Sequence, residues 1–189
     1  MLDVVPESLA EGALVGGRYR LRYVLGQGGM GVVWAADEVP SGRPVAVKLL
    51  LATSASDPKS HERFAREARA ALRVVHPNVA RVHEVGETAA GTPFLVMDRL
   101  VGESLRTRLG ARGRLDLADC AWILRGVVAG ISGAHQVGLV HRDLKPENVF
   151  LTHNEDDEIV KVLDFGMAKV RDAAKVTMQK TGVGTLIGT

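Results

Sequence analysis

The chain has one cysteine among its 189 residues, Cys120, so it can form no internal disulfide and no cysteine-cluster metal site. A single thiol suits a reducing compartment, and the expectation is a cytoplasmic protein. Neither sign of charge is in excess: 24 Lys and Arg face 22 Asp and Glu, a net charge of +2. That balance provides no electrostatic footprint for nucleic acid or for an anionic membrane surface. Long apolar runs are missing too. The longest stretch without Asp, Glu, Lys or Arg, Gly126 to Val140, has 15 residues and includes four glycines. A spanning helix needs ~20 predominantly apolar residues, so no membrane segment is expected. The start, Met1 to Glu7, lacks a basic stretch followed by an apolar one and does not read as a signal peptide. No internal repeat or low-complexity tract is present.

What the chain does have is core-forming material. Leu, Ile, Val and Phe make up 55 of 189 residues, well above the ~20% below which chains tend to stay disordered. The length suits one domain with a substantial core.

Residues 1–15 show no periodicity and read as a loose leader. From Arg18 the pattern alternates, with Tyr19, Leu21 and Tyr23 set against Arg18, Arg20 and Arg22, which predicts a strand with one wet face. Val32 to Ala36 and Pro44 to Leu50 predict two more strands, with Ser41-Gly42 at the turn between them. A helix is expected from Asp57-Pro58 to Val75, capped by Asp57, with Phe64, Ala68, Ala71, Leu72 and Val75 on its apolar stripe. Pro77 closes it, because the residue before a proline resists helical geometry. Ala80–Val85 and Phe94–Met97 complete a five-stranded antiparallel meander with one inserted helix. After Gly102 the character turns helical. Leu117, Ala121, Leu124, Val128, Ile131 and His135 fit a helical period, with Asp116 placed to cap. Gly126 and Gly130 signal close packing of that helix. Short strands at Val149–Leu151 and Ile159–Leu163 flank an acidic run, 155–158, which reads as a solvated turn.

Three groups of residues carry chemistry. Gly26-Gln27-Gly28-Gly29-Met30-Gly31 lies between two predicted strands, where glycines let backbone N–H groups approach phosphate oxygens with no Cβ in the way. A dinucleotide-binding loop would lead into a helix, and here Val33 continues a strand. Lys48 follows Gly31 by 17 residues on an apolar strand, where a buried ammonium needs an anion. Glu67 shares the helix's buried stripe and is one candidate; its pairing with Arg63 on a wet flank is the alternative. The third group is His141-Arg142-Asp143-Leu144-Lys145-Pro146-Glu147-Asn148, followed 21 residues after Asp143 by Asp164-Phe165-Gly166.

In this order and spacing the sequence resembles the protein kinases, specifically the eukaryotic-like Ser/Thr kinases of bacteria, from Arg18 to Thr189. The resemblance implies an α+β, bilobed fold: a five-stranded N-lobe with one helix over about 16–97, a hinge at about 98–102, and part of a mainly helical C-lobe over 103–189. It implies ATP and Mg²⁺. Asp143 would accept or orient the proton of the attacking hydroxyl, and Lys145 would meet the moving γ-phosphoryl group and point to Ser or Thr acceptors. Asn148 and Asp164 are hard oxygen ligands suited to Mg²⁺. Lys48, held by Glu67, would grip the α- and β-phosphates beneath Gly26, Gly28 and Gly31. Leu25, Val33, Ala46, Met97 and Phe150 would line the adenine slot, with backbone groups from Asp98 and Leu100. Ser104 would reach the ribose or else cap the helix behind it. Arg142 would pair with a phosphate on the following segment, where Thr181 is the nearest match to a primary phosphosite, Thr185 is a further candidate, and Thr189 resembles the threonine that bonds Asp143 and Lys145.

In the family, Gly188-Thr189 would run on into a Pro-x-Tyr-Met-x-Pro-Glu stretch and further helices. The chain therefore reads as a kinase domain cut within that segment, with the stripe of the helix around Leu124 left partly uncovered. Two other readings are open. One is an ATP-binding unit without transfer that pairs with another kinase chain. The other is a small-molecule phosphotransferase, against which Lys145 and Asp164-Phe165-Gly166 both speak.

Overall fold

The computed structural model describes residues 10–28, 31–50, 67–153 and 157–165. Two antiparallel sheets organise them. Six strands, β1 (Leu14–Val15), β2 (Tyr19–Gly28), β3 (Gly31–Glu38), β4 (Pro44–Leu50), β5 (Val82–Glu87) and β6 (Pro93–Asp98), form the first sheet in the order β1-β2-β3-β4-β6-β5. Beyond it come β7 (Gly102–Ser104), helices α1 (Leu105–Arg112) and α2 (Leu117–Gln136), a 3-10 turn (Pro146–Asn148), and the hairpin β8 (Val149–His153) and β9 (Glu158–Val162).

The strands fall where the alternation and apolar runs place them, but their order is not a meander. β6 inserts between β4 and β5. Its residues Pro93 to Val96 are all buried, whereas β5 (Val82-His83-Glu84-Val85-Gly86-Glu87) is partly wet along its length. A run buried on both faces belongs inside a sheet, and an amphipathic strand with charges tolerates the edge. Leu14–Val15, expected within a loose leader, pair with Arg20 and Tyr19 as β1. Val15 packs with Tyr19, Leu21, Trp34 and Phe94 in the sheet's main cluster. Gly16 lets this corner close, since a Cβ there would stand 2.8 Å from Phe94 Cζ.

Of the expected helix over 57–75, residues 57–66 lie outside the described residues; 67–71 are helical and the chain has already turned by Val75. The amides of Arg73 and Val74 bond back only three residues, to Ala70 and Ala71, tightening the exit before His76-Pro77. Ala68, Ala71 and Val74 are therefore buried, while Val75, placed on the stripe by its spacing, is exposed.

α2 starts where Asp116 caps the amide of Asp119 at 2.7 Å. Its glycines fit it to its neighbours: a Cβ at Gly126 would lie 2.7 Å from Val160 of β9, one at Gly130 2.5 Å from Asn78 O, and one at Gly133 2.8 Å from the His76 ring. Ile123, Val127, Gly130 and Ala134 are the buried residues, in one cluster with Val79, Leu151, Val160, Val162 and Phe165. Leu117, Leu124 and Val128, from the stripe read in the sequence, are exposed. Contrary to the expectation from the uncharged run, α2 is one helix among the described residues long and apolar enough to cross a bilayer by length and composition, with a hydropathy of 1.3. Its glycine edge packs on Val160 of β9, Asn78 and His76.

β7, unforeseen in the sequence, completes the smaller sheet. Arg108 of α1 is mostly buried and joins Glu103 of β7 at 2.9 Å to Glu158 of β9 at 2.5 Å. Those two carboxylates offset the cost of burying the guanidinium.

Candidate active site

Gly28 pairs with Gly31 at the turn from β2 to β3, closing the glycine-rich loop. The glycines differ in kind. A side chain at Gly31 would run into the Leu49 carbonyl of β4, so glycine there is required by packing. At Gly26 and Gly28 a Cβ would meet no atom of the described residues within 4 Å. Their bareness serves no internal contact and leaves the backbone open to a ligand.

Lys48 sits in mid-β4, with Val33 and Leu95 as its cross-strand partners. Its side chain is 5% exposed, and its Nζ lies 2.7 Å from Asp164 Oδ2. Burial makes an anion obligatory, and the anion is Asp164 rather than Glu67. Glu67, itself buried, is paired at 2.8 Å with Arg142 Nη1. The sequence predicts Lys48 against Glu67, or Glu67 against Arg63, a residue outside the described set. Among the described residues Lys48 pairs with Asp164, and Arg142, which the resemblance assigns to a phosphate, pairs with Glu67.

The residues 141–148 and the strand leading to Asp164 are stitched together at Leu163. His141 Nε2 is 2.8 Å from the Leu163 carbonyl, and the Leu163 amide donates to the Asn148 carbonyl at 2.8 Å. With Nε2 donating, His141 Nδ1 is left to accept the Asp143 amide at 3.3 Å. The His141 ring also packs on Phe165 at 4.8 Å. One side chain therefore sets the position of both motifs. Arg142 and Asp164 have φ of +64° and +56°, left-handed values that are uncommon away from glycine. Backbone strain of this kind persists where surrounding contacts over-determine it, and here each of the two residues carries a close ion pair.

Asp143 Oδ2 lies 2.8 Å from Lys145 Nζ, and Asn148 Nδ2 donates to the Asp143 carbonyl at 2.8 Å. The Lys145 hydrogen bond, partly opposed by burial, holds the Asp143 carboxyl below the ordinary carboxylate range. At neutral pH it is an anion beside an ammonium. Asn148 has its Nδ2 committed to Asp143, which leaves Oδ1 as its free ligand atom. Asn148 and Asp164 are two hard oxygen donors, a number that suits Mg²⁺, which takes one or two protein ligands and completes its shell with substrate phosphates and water.

Ala46 is buried opposite Met97, and Val33, Met97 and Phe150 are half-buried. Leu25 on β2 is exposed. The Asp98 amide donates to the Arg81 carbonyl at 3.0 Å and is not available to a base. The Asp98 side chain is anchored by His83 at 2.8 Å and by the Arg81 amide at 3.2 Å. Ser104 resolves to the cap: its Oγ accepts from the Thr107 amide at 3.1 Å, starting α1. Thr181, Thr185 and Thr189 lie outside the described residues. What sequence reasoning missed is the double role of His141 and the Glu67–Arg142 pair. A lone buried histidine gives no spacing signal, and partner choice among several ion-forming residues depends on tertiary placement.

The sequence matches the protein kinase domain family over residues 19–187. It is 42% identical over 178 residues to serine/threonine-protein kinase PknA of Mycobacterium tuberculosis, covering 92% of this chain and 41% of that protein. It is 37% identical over 180 residues to serine/threonine-protein kinase pkn3 of Myxococcus xanthus, covering 94% of this chain and 33% of that one. The chain thus spans less than half the length of these relatives. Among solved structures, the kinase domain of Mycobacterium tuberculosis PknI superimposes with a TM-score of 0.76 at 33% identity, covering 85% of this chain and 64% of that one. With the motifs on adjoining elements and the match spanning most of the sequence, this chain belongs to the protein kinase domain family.

Proposed function

We propose that this chain is the nucleotide-binding and catalytic part of a Ser/Thr protein kinase, moving the γ-phosphoryl group of ATP to hydroxyls on a protein substrate. The observation that carries the reading is Leu163, whose amide and carbonyl are both taken by the 141–148 segment, so that Asp143 and Asp164 are held in one unit. Phosphoryl transfer asks for positioning and charge neutralisation more than for covalent chemistry. Asp143, ionised, orients the acceptor hydroxyl and takes its proton. Lys145, beside it, offsets negative charge on the group in transit. Lys48 grips the α- and β-phosphates under the bare backbone of Gly26 and Gly28. Asp164 and Asn148 would hold Mg²⁺, which supplies charge neutralisation on the phosphates. Val33, Ala46, Met97, Phe150 and Leu25 form the slot for the base, with backbone groups of Asp98 and Leu100 at its edge.

In this reading the first lobe covers about 16–97, the hinge about 98–102 and the second lobe about 103–189, and the pairing of β1 with β2 favours counting Leu14–Val15 with the first lobe. A cytoplasmic setting, where ATP is abundant, goes with this reading. The test is transfer of labelled γ-phosphate to a generic basic protein, followed by identification of the phosphorylated amino acid. Phosphoserine or phosphothreonine that disappears in Asp143→Asn is the expected result. Mg-ATP binding with no transfer to any protein would replace it with an ATP-binding unit that does not catalyse.

A further inference from the structure

Among the described residues, the second half of β2, which forms one side of the glycine-rich loop, is paired on one edge only, to β3. Its pairing with β3 slips twice, between Leu21 and Tyr23 and again between Val24 and Gly26. Such irregularities remove ladder hydrogen bonds and bend the strand locally. Tyr23, Val24 and Leu25 are each about half exposed, at 51%, 45% and 46%. Among the described residues, a single side-chain hydrogen bond leaves Tyr23–Gly28 of β2: Arg99 Nη2 donates to Tyr23 Oη at 2.6 Å. The Arg99 guanidinium carbon also lies 5.5 Å from the centre of the Tyr23 ring. No carboxylate pairs with Arg99 among the described residues, so its charge is directed to Tyr23.

Arg99 is not on the sheet. It follows β6 and stands between Asp98 and Leu100, the two residues assigned to the edge of the base slot. That segment is a fixed post. Asp98 is held from behind by His83 at 2.8 Å, by the Arg81 amide at 3.2 Å and by Lys161 at 3.7 Å.

We propose that Tyr23 and Arg99 are positioning residues that clasp the lid strand to the hinge and thereby set how long a bound nucleotide is retained. The inference rests on the nucleotide site described above. The clasp makes no contact with the reacting groups Asp143, Lys145 or Asp164. It acts through β2: while it is closed, Leu25 and the backbone of Gly26 and Gly28 stay over the site, and when it breaks, the two slips let the strand lift. Its influence should therefore fall on the departure of the nucleotide, because interactions that close over a ligand act mainly on dissociation.

The experiment is stopped-flow dissociation of a fluorescent ADP analogue, with Mg²⁺, from the full chain and from Arg99→Leu, Tyr23→Leu and the double variant. A partly exposed hydrogen bond and cation–π contact together predict dissociation about 2- to 10-fold faster in each single variant. The double variant should be no faster than the faster single one, since both remove the same contact. Tyr23→Phe, which keeps the ring and loses the hydroxyl, should fall between. Association rates and the nucleotide-free unfolding midpoint should stay at the parent values. Unchanged dissociation, additive effects, or a matching drop in the nucleotide-free midpoint would overturn the clasp. Lys48→Met separates this failure from a deeper one: if the parent binds and Lys48→Met does not, the nucleotide site stands and only the clasp is at stake. A parent chain that fails to bind the analogue overturns both.

Discussion

Lys48 sits on a strand whose neighbours β3 and β6 cover it from both sides, whereas Asp143, Lys145 and Asn148 sit on a connecting segment held by His141, Leu163 and a 3-10 turn. The sheet region covers its own core with its own strands, down to Val15 of β1. The helical region does not. One side of α2 packs through its glycines on Val160 of β9, Asn78 and His76, and the other leaves Leu117, Leu124 and Val128 in solvent. The division also bears on tasks: the sheet holds Lys48 and the glycine-rich loop, proposed to grip a nucleotide, and the segment after α2 holds Asp143 and Lys145, proposed to act on it. Substitutions on the two sides should fail in different ways, binding on the first and turnover on the second.

The largest effect should come from the acting side. Asp143→Asn keeps the shape but cannot accept a proton, and should reduce turnover by ~10²–10⁴-fold with little change in ATP affinity. Initial rates against ATP concentration, measured on a chain that shows transfer, decide this. Should affinity fall in step with turnover, Asp143 would belong to the gripping set and the division of labour would be wrong.

On the gripping side, Lys48→Met removes a buried ammonium that contacts Asp164 at 2.7 Å. Hydrogen bonds to charged groups contribute ~1.5–3 kcal/mol, so Mg-ATP affinity should drop about 10- to 100-fold. Thermal shift with and without Mg-ATP reports it directly. A Lys48→Met variant stabilised by nucleotide as well as the parent is would move the grip elsewhere.

The same contrast governs what could be read in advance. Strand positions followed from two-residue alternation and from apolar runs, which are local properties. The insertion of β6 between β4 and β5 was not local, because nothing in either segment names its neighbour. The motif residues were legible because their spacing is dictated by the chemistry of a phosphate and a transferable proton. Their pairing was not. Lys48, Glu67, Arg142 and Asp164 are two cations and two anions with two possible matchings, and the choice depends on where the helix before Leu72 rests against the 141–148 segment. On α2 the stripe expected to be left partly uncovered is indeed in solvent, but which side packs was not legible. Ile123 and Val127 pack on the side that carries Gly126 and Gly130, where Val160 and Asn78 come too close for a Cβ.

Stability should expose that asymmetry at adjacent positions. Ile123 is 4% exposed and Leu124 61%. Ile123→Ala should cost about 2–5 kcal/mol, as large-to-small core changes do, and Leu124→Ala no more than about 0.5 kcal/mol. Denaturant unfolding of the two variants makes the comparison within one helical turn. Equal losses would mean that the outer face of α2 is covered in solution, by another part of the protein or by a second copy.

The smallest effect is a displacement along the pH axis. Asp143 owes its lowered pKa first to the hydrogen bond from Lys145, opposed by burial and aided by the charge on Lys145. A carboxylate whose pKa is depressed in the folded state contributes stability that is present above its unfolded value and lost as pH falls through the folded one. Lys145→Met removes the leading cause, so the Asp143 pKa should rise toward the ordinary carboxylate value. The acid limb of the rate profile should then begin at a higher pH than in the parent. Turnover should fall as well, given the role proposed for Lys145 at the phosphoryl group, and the position of the limb has to be read apart from its height. Carbon-detected NMR titration of the Asp143 carboxyl in both proteins does this without activity. If the midpoint stays where it was, or moves down, then the 2.8 Å contact between Lys145 and Asp143 does not set the proton affinity of the proposed base.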